Sequence, residues 1–277
     1  MKCDHPDKKF IQEAFDSITP CYDRLNQILS FGMSEAWRKK ACAIVLKGTG
    51  SFSLSTGQAG SGKGACPPGS EKEHKGDRHH FIKTKMVPVP KTILDLGCGT
   101  GKFLECFLKT RSWESAVGVD FSAAMLQKAS ETVSGNVMWL REDFDALPFL
   151  DSSFDLVISG FTLRSVQNLP EFLSHVHRIL TPGGKAAFLD LTRPRNFWVR
   201  LFFFPYLKFI LPLLGWLISG NRKAYDFLSG SIQDFQAPEK TIQWMEDLGY
   251  RDCTSKSFAF GAATLIMGRK SAPSNEP

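Results

Sequence analysis

Along the second half of the chain, short apolar runs alternate with amphipathic stretches. "TILDL", "AVGVD", "VMWL", "FDLVIS" and "KAAFLDL" are apolar at consecutive positions and read as strands buried on both faces. Between them, "GKFLECFLKT", "AAMLQKASETV" and "LPEFLSHVHRIL" repeat their apolar positions at helical spacing. This order predicts an α/β fold, a parallel sheet covered by helices on both faces. Such sheets gather their ligands at the carboxyl ends of the strands.

The flanks carry other patterns. Phe15, Ile18, Tyr22, Leu25, Ile28 and Leu29 recur at helical spacing, and "SEAWRKKACAIVL" opens with a serine and an acid suited to a helix N-terminus. Two or three short helices are expected up to residue 46. From 47 to 90 the periodicity vanishes and Gly, Ser, Lys and His dominate, which predicts a flexible insert. Leu201 to Ile218 is apolar enough to be tested as a membrane span, but Lys208, Pro205 and Pro212 lie inside it. A buried or interfacial hairpin is the expectation. Then "APEKTIQWMEDLGY" reads as an amphipathic helix stopped by Gly249, "CTSKSFAF" and "AATLIMGRK" as an antiparallel hairpin, and 271–277 as a disordered tail.

Composition narrows the class. The chain has 277 residues, 43% apolar and 22% charged, enough for one substantial core and tight for two domains. A net charge of +6 permits attraction to an anionic surface without requiring it. The seven cysteines form no CxxC pair, which fits free thiols in a reducing compartment better than disulfides or zinc. "MKCDHPDKKF" lacks the apolar core of a signal peptide, so residence in the cytoplasm is expected.

The candidate chemistry centres on "DLGCGTG". A dinucleotide fingerprint places a third glycine three residues after the second, and here that position is Lys102, so the spacing disfavours NAD. Asp95, Asp120 and Asp143 stand at three successive strand ends, suited to an ammonium, a ribose and an adenine amino group, with Phe144 offering an apolar face. S-adenosyl-L-methionine carries all three. Each acid alone reads as a loop carboxylate or helix cap; in register with the glycines they read as one site. "GQAGSGKG" nearly spells a P-loop, but Gly64 stands where the magnesium-binding hydroxyl belongs and no strand precedes it. His74, His79 and His80 near Cys66 match no metal spacing, and no metal is expected.

The motifs "FDSITPCYDRLNQILSFGMSEAWRK", "ILDLGCGTG", "DALPFLDSSFDLVISGFTLRSV", "HRILTPGGKAAFLDLTRP" and "SIQDFQAPEKTIQWMEDLGY" go further. They resemble those of the class I methyltransferases, and within them the UbiE/MenG/COQ5 group, which C-methylates polyprenylated quinols in ubiquinone and menaquinone synthesis. The resemblance implies a Rossmann-like, mostly parallel seven-stranded sheet over 91–270, with N-terminal helices as a cap (1–46) and an apolar helical insertion (197–230) after strand 5. It implies S-adenosyl-L-methionine as cofactor, held by Asp95, Gly97, Gly99, Thr100, Gly101, Asp120, Phe121, Asp143, Phe144, Ser159 and Gly160. Relatives often carry Ser at the Gly160 position. Lys102 replaces a common acid, and Ser165 replaces the usual Asn after Leu163-Arg164.

Ring methylation needs a carbon made nucleophilic by deprotonation of the neighbouring phenol, held in line with the sulfonium methyl. Arg164 is the leading catalytic candidate, a permanent cation that lowers the phenol pKa while water takes the proton; a salt-bridged arginine is the structural alternative. Tyr22 is the second candidate, orienting the quinol or covering the methionine end, with helix packing as its alternative. Asp23 and Asn26 are expected to fix their helix. Asp190 and Arg193 suit either the substrate mouth or a strand-end salt bridge. His175 and His177, two apart on a helix, cannot act as a pair. Phe197 to Ile218, with Arg200, Lys208, Arg222 and Lys223 in or beside it, suits a membrane surface that admits a polyprenyl tail, or a homodimer interface. No nucleic-acid partner is expected.

Overall fold

The computed structural model describes residues 16, 19–47, 91–143, 147–194, 196–210, 213, 230–232 and 235–272. Phe144, the 48–90 stretch with its near-P-loop and histidines, most of 211–229 and residues 273–277 lie outside the described residues. The sheet has seven strands in the order β3-β2-β1-β4-β5-β7-β6. They are β1 (Thr92–Leu96), β2 (Ser115–Asp120), β3 (Met138–Arg141), β4 (Phe154–Gly160), β5 (Leu180–Leu191), β6 (Tyr250–Phe258) and β7 (Ala263–Lys270). The first five are parallel; β7 runs antiparallel between β5 and β6. The expected architecture is therefore present, and the reversal of order around β1 and β4 opens a crevice at their carboxyl ends.

The helices are α1 (Tyr22–Leu29), α2 (Met33–Lys47), α3 (Lys102–Leu108), α4 (Ala123–Thr132), α5 (Leu169–Ile179), α6 (Phe197–Pro205) and α7 (Pro238–Asp247). Their ends follow local chemistry. Ser122 caps α4 by accepting the Met125 N–H at 3.2 Å, and Asn168 caps α5 by accepting the Glu171 N–H at 3.4 Å. Each cap contributes about 1 kcal/mol. Helix α2 begins at Met33, so Ser34 and Glu35 lie in its first turn as expected, and Ser30 Oγ accepts the Ser34 N–H at 3.1 Å. The strand expected at Lys185–Leu191 is longer, starting at Leu180. "TPGG" reads as a turn, yet the segment stays in the sheet by bulging, which shifts the β4–β5 register between Phe154 and Leu156.

Two apolar layers sandwich the sheet. On one face α5 and α7 bury Phe172, Leu173, Val176 and Met245 against Leu94, Val117, Val157 and Phe188. On the other, Trp37, Ala41 and Val45 of α2 join Phe103, Leu104 and Phe107 of α3 against Ile93, Leu156, Ile158 and Leu265. Full burial of one such side chain stabilises the fold by about 1.5–3 kcal/mol. Helix α2 is thus part of the core layer, and α1, continuous with the short turn Thr19–Cys21, lies over the crevice. Beyond β5, α6 ends at Pro205 and passes into a π-helical turn, Tyr206–Ile210. Among the described residues no helix is long and apolar enough to cross a membrane.

Candidate active site

The turn after β1 is held open by backbone geometry. Gly97, Gly99 and Gly101 all have positive φ, a region where only glycine is unstrained. A Cβ on Gly97 would lie 2.5 Å from Thr162, whereas one on Gly99 would meet nothing within 4 Å. Gly97 is therefore needed for packing against the β4 turn, and Gly99 faces free space where a ligand can approach the backbone. Asp120, 6% exposed at the tip of β2, braces the turn: its Oδ2 accepts the Gly99 N–H at 2.8 Å and its Oδ1 the Ser122 N–H at 2.9 Å. Burial outweighs these bonds and pushes its pKa up to about 6.

Asp95 differs. It is completely buried, and among the described residues neither carboxylate oxygen has a hydrogen-bond partner. Burial raises its pKa well above the carboxylate range; the Leu104 N–H opposes this without reaching hydrogen-bond geometry, and the nearby Asp120 reinforces it. A buried, unpartnered carboxylate is costly unless a cation completes it. The ammonium of S-adenosyl-L-methionine is such a cation, so the residues present fit that cofactor.

The other expected cofactor residues take separate places. Thr100 is buried and gives its hydroxyl to Asp23 Oδ1 of α1 at 2.7 Å. Asp23 also faces Lys128 of α4 at 3.7 Å, and Lys128 Nζ donates to the Thr19 carbonyl at 3.0 Å. These contacts clamp α1 over the glycine turn, the fixing role expected of Asp23. Ser159 spends its hydroxyl on the Leu96 carbonyl at 2.6 Å, tying β4 to β1. At Gly160 an added Cβ would press on Phe103 at 3.0 Å. Phe121 is half-buried beside Asp120, and its carbonyl accepts from Arg141 Nε at 3.2 Å. Asp143 is exposed just beyond β3.

Next to this cleft lies a largely apolar cavity of about 580 Å³. Its walls include Tyr22 and Asn26 of α1, Trp37 and Arg38 of α2, and Phe161 and Arg164 after β4. Both catalytic candidates therefore reach one cavity. Arg164, 8% exposed, is salt-bridged: its Nη1 lies 2.5 Å from Asp190 Oδ1, and Asp190 Oδ2 accepts the Arg164 backbone N–H at 3.2 Å. Burial lifts the Asp190 pKa while Arg164 pulls it back. Asp190 thus forms the strand-end bridge, with Arg164 and not Arg193; Arg193 stacks over Phe204 at 5.2 Å.

Sequence reasoning passed over Arg38, Phe161 and Tyr206. Arg38 sits in a run of basic residues that reads as a solvated face, yet it directly follows the buried Trp37. Phe161 has φ 63, and its N–H is pinned to the Leu189 carbonyl at 2.6 Å; no local pattern signals that a phenylalanine will adopt this conformation. Tyr206 belongs to the segment read only for its greasiness. Burial pushes its pKa up to about 12.

The model of the ubiE/COQ5 methyltransferase family matches residues 2–64 and 70–270. The chain belongs to this family. The gap in the match falls inside the 47–90 segment. A demethylmenaquinone methyltransferase of Tropheryma whipplei is 30% identical over 257 residues, 92% of this chain and 89% of the relative. One from Chlamydia caviae is 31% identical, covering 95% and 97%. The ubiquinone/menaquinone biosynthesis C-methyltransferase UbiE of Desulfotalea psychrophila is 28% identical, covering 94% and 90%. Among solved structures, a Thermotoga maritima SAM-dependent methyltransferase, described as a possible histamine N-methyltransferase, matches with a TM-score of 0.58 at 16% identity, over 94% of this chain and 100% of that one. That likeness establishes the shared fold. As a member of the ubiE/COQ5 family, the protein is an S-adenosyl-L-methionine-dependent methyltransferase.

Proposed function

We propose that this methyltransferase moves a methyl group onto a ring carbon of a polyprenylated quinol in menaquinone or ubiquinone synthesis. The relatives named above are named for quinone biosynthesis. The observation that carries the reading is adjacency. Thr162, packed on Gly97 of the cofactor turn, lies between Phe161 and Arg164, and both of these are walls of the apolar cavity. Its volume of about 580 Å³ suits a small aromatic ring with part of a tail.

In this reading S-adenosyl-L-methionine supplies an electrophilic methyl on a positively charged sulfur. Asp95 takes its ammonium, Asp120 its ribose hydroxyls through the lone pairs its two backbone bonds leave over, and Asp143 its adenine amino group. The glycine turn lets the backbone close on the methionine portion. Arg164, anchored by Asp190, offers its remaining N–H groups to a ring oxygen. Tyr22 orients the ring from above. Tyr206, protonated throughout the neutral range, donates a hydrogen bond without competing for the substrate's proton. Apolar walls keep water from the methyl group.

The prenyl tail leaves through the cavity mouth, where Phe31 and Phe260 are 76% and 84% exposed. Phe197 and Trp198 are exposed on neighbouring α6, where Arg200 stacks on Phe204 at 5.5 Å. An apolar rim with adjoining arginines suits peripheral attachment to the inner face of an anionic membrane. Incubation with S-adenosyl-L-methionine and reduced, demethylated benzoquinols or naphthoquinols should add one methyl to ring carbon by mass spectrometry. Failure with both ring classes would defeat the substrate reading. Phe31→Ala with Phe260→Ala should lower cosedimentation with anionic vesicles; retained vesicle binding with loss of a dimer would make this rim a contact between copies.

A further inference from the structure

Among the described residues two arginines face the cavity, and their charges are treated differently. Arg164 and Asp190 form a nearly solvent-free pair, with side chains 6% and 2% exposed, so little net charge reaches a ligand. Arg38 has no ion pair among the described residues. Three acids that share a groove with it, Glu35, Glu105 and Asp23, are engaged elsewhere. Glu35, one turn earlier on α2, pairs with Lys39 at 2.6 Å. Glu105 of α3 is shared by Lys102 at 3.4 Å and Lys109 at 2.6 Å. Asp23 of α1 faces Lys128 and takes the Thr100 hydroxyl.

Arg38 is held by an aromatic face. Its guanidinium carbon lies 5.1 Å from the centroid of Phe161, the strained residue that follows β4. Such a stack fixes the plane of the cation and leaves its N–H groups free to bond. Trp37 packs on the same ring at 6.5 Å. The cation therefore stands where cofactor turn and apolar cavity meet, and its field is felt at Asp95.

We propose that Arg38 is a catalytic residue that receives the oxyanion of the substrate ring, supplying the positive charge that Arg164 has already given to Asp190. This rests on the reading of the substrate as a phenolic ring. Deprotonation, with the phenolic proton passing to water, would spread negative charge from the ring oxygen to the adjacent carbon; that carbon would bond to the methyl while the carbon–sulfur electron pair stays on sulfur as a neutral thioether, and the ring carbon would then lose its own hydrogen as a proton to water, restoring aromaticity. A fixed cation at the oxygen favours the charged form before attack.

The test compares the unaltered protein with Arg38→Ala and Arg38→Lys, each checked for native unfolding behaviour and for cofactor affinity by calorimetry. Arg38→Ala should lower kcat on a short-chain quinol about 100-fold. Its cofactor Kd should stay within about 2-fold, and the rising limb of kcat against pH should move to higher pH. Arg38→Lys should retain part of the rate, and added guanidinium ion should restore part of it to Arg38→Ala. An unmoved pH limb, or a loss expressed as weaker cofactor binding, overturns the proposal; the latter would assign Arg38 to the cofactor's carboxylate. A second probe needs no turnover. Bound 4-nitrophenol should ionise at lower pH in the unaltered protein than in Arg38→Ala, and equal ionisation would refute the role even if no quinol were methylated. Methylation that fails while the nitrophenol difference persists would strike the substrate reading alone.

Discussion

The cofactor cleft and the cavity beside it share the β4 turn but are built on opposite principles. In the cleft, the chain consumes most of its own polar groups: Thr100 bonds Asp23, Asp120 bonds the glycine turn, Ser159 bonds Leu96, and among these described residues Asp95 is left without a partner. In the cavity the walls are largely apolar, and of the two arginines one is neutralised. The cleft is therefore stiffened by its own hydrogen bonds and keeps one carboxyl in reserve, whereas the cavity selects by shape and water exclusion. Methyl transfer needs both, because the cofactor must be held rigidly while the ring is brought up dry.

The sharpest way to break this division is at the Arg164–Asp190 pair, the polar post on which the cavity is built. Asp190→Ala leaves a buried guanidinium without its partner and should destabilise the fold by about 3–5 kcal/mol, read as a lower denaturant midpoint. Asp190→Leu with Arg164→Met should recover most of that stability, since a well-packed apolar pair replaces a buried ion pair at little cost. Turnover should not return with it. Full activity in the double variant would show that Arg164 contributes only packing.

The next effect is in pH. Asp120 titrates near 6 when folded and near 3.8 when not. Between those values the folded chain holds a proton that the unfolded chain releases. The group thus favours folding at acid pH, fully below 3.8, and that contribution is lost as pH rises through about 6. Its size is on the order of 2–3 kcal/mol. Other groups slope the opposite way: the pKa of His177 is lowered by burial, and that of Asp155 is held down by the Lys91 and Thr92 N–H groups against its burial. The measurement is therefore the difference between parent and Asp120→Asn in unfolding free energy across pH 4 to 7. The parent should gain stability relative to the variant on acidification. A flat difference would mean that Asp120 is already satisfied in the folded chain.

Asp95 sharpens the contrast from the other side. With its pKa raised by burial, Asp95 must take up a proton in the cofactor-free fold near neutral pH, and Asp95→Asn removes that cost, so the cofactor-free protein should become more stable there while cofactor affinity falls. Loss of a charge-assisted bond of about 1.5–3 kcal/mol corresponds to a roughly 10- to 100-fold weaker Kd by calorimetry. Changes of the same sign in both quantities would contradict a carboxylate held in reserve for an ammonium.

These two regions were also unequally legible in the sequence. The glycine turn and the acids of β1 and β2 lie within one βαβ unit, so spacing alone placed them at the same sheet edge. The cavity draws on α1, α2, the β4 turn, the π-helical turn and the β6–β7 connection, and no local pattern brings those together. Arg38 was hidden by its basic neighbours. The pairing of Asp190 with Arg164 instead of Arg193 depends on how the β4 and β5 tips are set side by side. For Ser159, strand position gives the face of the side chain but not the Leu96 carbonyl that takes its hydroxyl. The long β5 escaped because Pro-Gly-Gly is ordinarily a turn signal, overridden here by the neighbouring strands.

The smallest predicted effect lies at the seam between the two regions, where α1 covers both. Thr100 gives its hydroxyl to Asp23, and that bond joins the cofactor turn to the helix whose Tyr22 and Asn26 wall the cavity. Thr100→Val keeps the shape of the side chain and removes the donor, so the cost is one buried hydrogen bond, about 1 kcal/mol. Hydrogen exchange should locate it: amides of α1 should exchange faster, with those of β1 and β4 unchanged. Because α1 roofs the cavity as well as the turn, both cofactor and quinol should bind slightly less tightly. If only cofactor affinity fell and α1 kept its protection, the hydroxyl would be serving the cofactor directly, and the two regions would be separate sites under independent covers.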